Sequence, residues 1–287
     1  MFSNSTFGDV LKLLPRDFVS KSVERHDSDR WRKTFKTWDH LVALLTAQFS
    51  GVSSLRDLET LLHNAQSQHY HLGIRGVKRS TLSDANNTRS AAVFGEIAQR
   101  LIQHTKHQKS EMQEVLSVLD SSLICLNGRG YEWAKKTQAR GAPPGLKLHV
   151  QMAHGTGCLE HVEITPANVN DITQAQTLPL EAGHTYVFDK GYVAYKWWHQ
   201  IMEKRAAFVS RLKCNAHYEV VEDKPISEPD KGHILRDQII TLSNKHPRGR
   251  SRNPLAGQSL RLIEIPHPAG KKRPFLIVSS HLEAPPL

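Results

Sequence analysis

Asp120 and Asp189 are the residues of this chain whose type and setting best suit chemistry. Asp120 closes the apolar run Val115-Leu116-Ser117-Val118-Leu119 and is followed by Ser121-Ser122-Leu123-Ile124. Asp189 closes Thr185-Tyr186-Val187-Phe188 and is followed by Lys190-Gly191-Tyr192. Both runs are short and rich in aliphatic or aromatic residues, which predicts two buried strands, each ending in an acid. An apolar core does not tolerate an unpaired carboxylate. Carboxylates at strand ends that share a site suit a hard cation such as Mg²⁺. The alternative is that each aspartate merely caps the turn or helix after its strand.

The elements around the pair follow from periodicity. Trp38, Leu41, Val42, Leu45 and Phe49 recur at helical spacing. Ser54-Leu55-Arg56-Asp57 opens a second helix as a capping box, with Leu55, Leu58, Leu61 and Leu62 on one face. Phe94, Ile97, Ala98, Leu101 and Ile102 mark a third. Between the last two, a glycine-punctuated basic turn leads into a short polar helix with Ser80 as expected N-cap and Lys78, Arg79 and Arg89 nearby. Such a helix suits a DNA groove, and it equally suits the polar surface of an ordinary bundle. From about Glu111 strands and helices alternate: a strand at 146–152, another at 158–165, the Asp189 strand, a helix near 195–204 and a strand at 207–211. Three meandering strands followed by βα units predict a mixed sheet with helices packed on it. Beyond Leu212 only short strands are expected, at 217–221, 238–242, 259–265 and 274–279, with a basic loop at 247–257.

Composition narrows the partners. The 287 residues carry a net charge of +10, with a pI near 9.6, and favour a polyanion. Between Lys231 and Arg273 there are ten Lys and Arg but only Asp237 and Glu264 as acids, so this stretch alone supplies +8. Solvated basic loops are the alternative account. Cys125, Cys158 and Cys214 form no C-x-x-C pair, which argues against a zinc site or a disulfide framework and fits a reducing cytosol. The N-terminus lacks a basic start and apolar segment of a secretory signal, and the longest apolar stretch, at 41–49, is too short to span a bilayer. His69-Tyr70-His71 lacks Cys, Asp or Glu at ligand spacing and reads as a polar loop.

Several blocks together resemble a transposase of the insertion-sequence-4 family, the DDE type with an RNase H-like core. Ser54-Leu55-Arg56-Asp57-Leu58-Glu59 and Ser80-Thr81-Leu82-Ser83-Asp84-Ala85-Asn86 resemble its N-terminal helical region. Leu119-Asp120-Ser121-Ser122-Leu123-Ile124, with Trp133-Ala134 and Lys147-Leu148-His149, resembles the block around its first aspartate. Tyr186 to Tyr192, with Phe208-Val209-Ser210-Arg211-Leu212-Lys213, resembles the block around its second. The order of expected strands independently matches such a core. The expected fold is therefore α/β: an all-α N-terminal DNA-binding domain over 1–108, an RNase H-like mixed sheet with flanking helices over 109–213, and a β-rich basic insertion over 214–287.

The resemblance implies cut-and-paste DNA transposition: phosphodiester hydrolysis and strand transfer with two Mg²⁺ (or Mn²⁺) ions roughly 4 Å apart. Asp120 and Asp189 are the implied catalytic and metal-binding residues. Lys147, His149, Lys190, Tyr192 and Arg211 are the nearest candidates for orienting the ligands or meeting phosphates, with surface or strand packing as the alternative. The implied DNA contacts are Lys78, Arg79, Arg89, Lys147, Lys190, Arg211, Arg248, Arg250 and Arg252. Double-stranded DNA with terminal inverted repeats is the implied partner, a homodimer on DNA the implied assembly, and the bacterial cytoplasm, at the nucleoid, the implied location. The family's third carboxylate lies in a motif written Y-(2)-R-(3)-E-(6)-K, which has no match after Asp189. Glu264 and Glu283 sit in a strand candidate and a Pro-rich tail. The expectation is a copy shortened at its C-terminus, inactive or impaired in transposition. A non-catalytic DNA-binding remnant and a general RNase H-like nuclease are the competing functional readings.

Overall fold

The computed structural model describes residues 6–108, 116–126, 134, 144–243, 253–267 and 273–283. The chain divides into two compact units, Met1–His107 and Gln108–Leu287.

In the first unit every regular element among the described residues is helical: α1 (Thr6–Lys12), α2 (Arg16–Arg25), α3 (Thr37–Ser50), α4 (Leu55–Asn64), α5 (His69–Leu72), α6 (Arg79–Thr88) and α7 (Ala91–Gln108), with a single 3₁₀ turn at Gln66–Gln68. Four were expected, α3, α4, α6 and α7; α1 and α2 carry no pattern that marked them, and α5 stands where His69-Tyr70-His71 reads as a polar loop. Helix α3 ends at Gly51, whose φ of +66° is the left-handed conformation that terminates helices. Helix α4 starts at the expected cap: Ser54 Oγ accepts from the Asp57 N–H at 3.1 Å. Helix α6 has Lys78 at its N-cap, two residues before the expected Ser80, and no side-chain cap of its own. Instead the Arg79 N–H donates to Glu59 Oε1 of α4 at 2.8 Å. A carboxylate from the neighbouring helix satisfies a donor that a local cap would otherwise serve. Leu58, Leu62, Leu72 and Leu82 form one core and Leu14, Val19, Val93 and Ile97 another. His69 is buried, and its Nε2 lies 2.8 Å from the Leu62 carbonyl, so it closes the end of α4.

The second unit is built on one nine-stranded sheet: β1 (Leu116–Cys125), β2 (Gly145–Ala153), β3 (Leu159–Pro166), β4 (Thr185–Phe188), β5 (Ala207–Arg211), β6 (Tyr218–Asp223), β7 (Arg236–Leu242), β8 (Ser259–Ile265) and β9 (Phe275–Ser279). Helix α8 (Asp171–Ala175) precedes β4 and helix α9 (Tyr195–Glu203) links β4 to β5. The order across the sheet is β3-β2-β1-β4-β5-β9-β8-β7-β6. β1, β4 and β5 are parallel to one another; every other pairing is antiparallel. The β-rich stretch expected as a separate insertion thus continues the same sheet, entered through β9 beside β5. Trp197, Trp198 and Ile201 of α9 pack with Leu119, Tyr186, Phe188 and Phe208. The Trp198 and Phe208 rings lie 4.6 Å apart and those of Phe188 and Trp197 4.8 Å, within the range where aromatic pairs attract.

One ion pair is locked inside the extension. Arg261 on β8 donates from Nε to Asp237 Oδ1 of β7 at 2.8 Å, and its Nη2 meets the other oxygen. Both side chains are buried. The pair is neutral, so the surplus of this stretch stays at +8, but Arg261 is no longer one of the cations open to a polyanion. Asp237→Ala leaves the guanidinium buried without its partner, and the expected cost is about 3–5 kcal/mol, read as a lowered midpoint in urea denaturation.

His40 makes the first unit pH-sensitive. It is buried between Phe35 and Phe94, ring centroids 5.7 and 5.2 Å away, with Nε2 2.7 Å from Asn86 Oδ1. Burial holds its pKa below the ordinary 6.5; the Asn86 contact opposes this and nearby Arg89 adds to it. Because the folded value is the lower one, the unfolded chain takes up the proton first. The associated stability is present above about pH 6.5 and drains away below it. His40→Gln is expected to flatten the fall of melting temperature between pH 7 and pH 5 relative to the unmodified chain.

Candidate active site

The geometry of the two aspartates is set by strand register. β1 and β4 run parallel with Leu116 opposite Thr185 and Leu119 opposite Phe188. Leu119 and Phe188 belong to the same buried cluster, so both point to the face covered by α8 and α9. Successive side chains alternate along a strand. Asp120 and Asp189 are the next residues after that last pair, and with both backbones extended they leave the opposite face as neighbours, just past strands spaced about 4.8 Å apart. β1 does not end at Asp120 as expected. It runs to Cys125, because β2 keeps pairing along its other edge while β4 stops at Phe188. Asp120 thus marks the end of the parallel ladder, not of the strand. Asp189 is extended (φ −77°, ψ 169°) and enters the 3₁₀ turn Lys190–Tyr192.

Both carboxylates have lone pairs to spare. Asp120 is exposed, and its carboxylate makes no hydrogen bond or ion pair among the described residues. Asp189 has one 3.5 Å contact, to Arg211 Nη1. Two adjacent, largely unengaged carboxylates are a donor set for a hard divalent ion, and Mg²⁺ commonly takes one or two carboxylates and completes its shell with water and phosphate. Among the described residues no Asp, Glu, His or Cys joins them as a third ligand. Glu264 lies 3.5 Å from Arg236 Nε, and Glu283 lies 3.2 Å from Lys224 Nζ.

A groove of about 830 Å³ opens beside Asp189, with Lys190, Arg211, Lys213 and Arg273 along it and Phe275 as its aromatic wall. The Arg211 guanidinium lies 3.9 Å from the centre of the Phe275 ring, a cation–π contact that holds it between the ring and Asp189. Lys190, Lys213 and Arg273 are exposed.

The other expected residues scatter. Lys147 Nζ is engaged by Asp171 Oδ1 at 2.9 Å and by the Val169 carbonyl at 2.8 Å. His149 is buried, with Nε2 2.8 Å from Thr165 Oγ1; burial depresses its pKa, Lys147 adds to this, and Asp171 and Glu163 oppose it. Tyr192 is buried and keeps its proton: burial raises its pKa most, then the charge of Asp171, with Asp120 and Asp189 adding and Ser121 opposing. Lys78 and Arg79 are exposed at the start of α6. Arg89, expected at the DNA surface, is buried; its Nη2 donates to the Phe35 carbonyl at 3.0 Å and lies 3.8 Å from Asp29. A guanidinium committed to the helical core does not reach a phosphate. Arg248, Arg250 and Arg252 lie outside the described residues. Sequence reading missed Asp171, whose partners come from β1 and β2 and have no fixed spacing from it.

Residues 111–274, more than half of the chain, match the family model described as a transposase DDE domain, and the chain belongs to that family. Residues 3–75 match a domain of unknown function, DUF4372. The relative named "Putative transposase y4zB", from Sinorhizobium fredii, is 38% identical over 167 residues, covering 57% of this chain and 46% of its own length. The chain thus spans under half of the curated relative it matches. A cryo-EM structure of the piggyBac transposase synaptic complex with hairpin DNA aligns at a TM-score of 0.46 and 11% identity, over 95% of this chain and 60% of that one.

Proposed function

We propose that this chain belongs to an insertion-sequence-4-type transposase with an RNase H-like core, which cuts and rejoins DNA strands at a divalent-metal site held by Asp120 and Asp189. The carrying observation is the register that sets the two carboxylates side by side on the face away from α8 and α9. The order β3-β2-β1-β4-β5, with a meander leading into parallel strands, supports the RNase H-like reading. When bound, Mg²⁺ or Mn²⁺ supplies charge stabilisation at a scissile phosphate and acidifies an attacking water. The chain's own part is to offer two oxygen donors and a cationic path to them. Lys190, Arg211, Lys213 and Arg273 line that path, and their charges suit a phosphate backbone. Of the three cations expected to meet DNA on the first unit, Lys78 and Arg79 are exposed. Terminal inverted repeats as the DNA sequence and a homodimer on DNA rest on the family resemblance. Among the described residues no helix is long and apolar enough to cross a membrane.

Mn²⁺-dependent nicking of supercoiled plasmid is the direct assay. Asp120→Asn and Asp189→Asn, each alone, should bring nicking to background. Retention of nicking by either variant refutes the site. DNA binding without any nicking by the unmodified chain favours a binding protein over an enzyme.

The groove has its own check. Replacing Lys190 and Lys213 together by Ala should weaken binding to unrelated duplexes alike. It should also flatten the plot of log affinity against log salt by about 1–2. An unchanged slope would move the DNA path elsewhere.

A further inference from the structure

Behind the two aspartates, on the face of the sheet that carries α8, lies a third carboxylate that the metal site does not use. Asp171 opens α8, and its Oδ1 accepts from Ser121 Oγ at 2.8 Å and from Lys147 Nζ at 2.9 Å. The same oxygen is 3.9 Å from His149 Nδ1. Its other oxygen lies 3.5 Å from the point where a Cβ on Gly191 would sit. Asp171 is thus bonded to the side chain of Ser121, next to Asp120, and α8 packs against the turn that Asp189 enters. Ser121 follows Asp120 on β1, and by strand alternation it faces away from the side to which Asp120 points. Gly191 lies in the turn that Asp189 enters. Tyr192, in the same turn, is buried and hydrogen-bonds Ser121, which ties the turn to the residue that Asp171 holds.

We propose that Asp171 is a positioning residue: through Ser121 and the Lys190–Tyr192 turn it holds the β1 and β4 segments in the register that keeps Asp120 and Asp189 together for a divalent ion. This rests on the reading of those two aspartates as the metal site. Asp171 does not coordinate the ion, because it lies on the other face of the sheet. Lys147 has the complementary task. It neutralises Asp171, so a third negative charge can sit close to two others without driving the strands apart. The Lys147 and Ser121 contacts converge on one oxygen, so the carboxylate has a single seat. The ligands of a metal site depend on such outer partners for orientation, and losing one typically weakens binding by about 10–100-fold.

The test is titration of the full chain with Mn²⁺, read by electron paramagnetic resonance of the free ion. Asp171→Asn keeps the shape and an oxygen acceptor but drops the charge. Ser121→Ala cuts the link to β1 and leaves no charge unpaired, so it decides the matter if the first variant does not fold. Each is expected to raise the Mn²⁺ dissociation constant about 10-fold or more with the circular dichroism spectrum unchanged. The double variant should be little worse than the worse single one, because both cut the same connection. If Asp120→Asn and Asp189→Asn abolish binding while folded Asp171→Asn and Ser121→Ala bind as the unmodified chain does, the positioning role is overturned and the metal site stands. If Asp120→Asn and Asp189→Asn leave Mn²⁺ binding unchanged, the metal site falls and the positioning role with it.

Discussion

The parallel pairing of β1 with β4 is the constraint on which the rest of the second unit depends. It lasts for four residues on each strand, Leu116 to Leu119 against Thr185 to Phe188. Its last pair is apolar and points into the core; the next pair is acidic and points out. A one-residue slip in either strand would send an aspartate into the aromatic cluster of Phe188, Trp197 and Phe208, where an unpaired carboxylate is costly. The apolar packing that anchors Leu119 and Phe188 therefore also forces Asp120 and Asp189 to be neighbours. The core and the candidate site are specified by the same alternation.

Much of this architecture was legible locally. β8 spans the residues expected, and β4, β5 and α9 fall within a residue or so, because aromatic and β-branched runs bounded by polar turns mark them clearly. The two aspartates stood out for the same reason: an acid ending an apolar run is conspicuous. What stayed hidden depends on partners distant in sequence. Nothing around Ser122 to Cys125 says that β1 continues, since those residues are held by β2 through pairings such as Ser122 with Leu148. Arg89 looked like a surface cation because its neighbours are polar, yet Phe35 and Asp29, far earlier in the chain, draw it inside. Arg261 counted as free charge until Asp237 on the next strand proved to be buried against it. Asp171 is the sharpest case, because its role exists only once two other strands have brought Ser121 and Lys147 to it.

The charges of the second unit divide by environment. Arg261 is spent inside on Asp237, where a cation without its partner would be expensive, and the half-buried Lys147 is spent on Asp171. Lys190, Lys213 and Arg273 remain at the surface beside Asp189. A bare count of Lys and Arg overstates the polyanion-binding surface for this reason, although each interior pair is neutral and leaves the net charge unchanged. The informative quantity is how many cations are left after the interior pairs are satisfied, and where they lie relative to the acids.

The site also depends on a strand from the far end of the described chain. β5, which carries Arg211, is flanked by β4 on one side and β9 on the other, with Arg211 opposite Ile277. Phe275, the ring that seats the Arg211 guanidinium, belongs to β9 as well. Without residues 275–279, β5 would be an exposed edge, Arg211 would lose its platform, and the groove beside Asp189 would lose a wall. The β9 strand is therefore not an appendage to a finished core. It completes the wall of the cationic groove beside Asp189, and the sheet has no packing boundary at residue 213. A β-rich segment that reads as an insertion in sequence becomes, through one antiparallel pairing, part of the site itself.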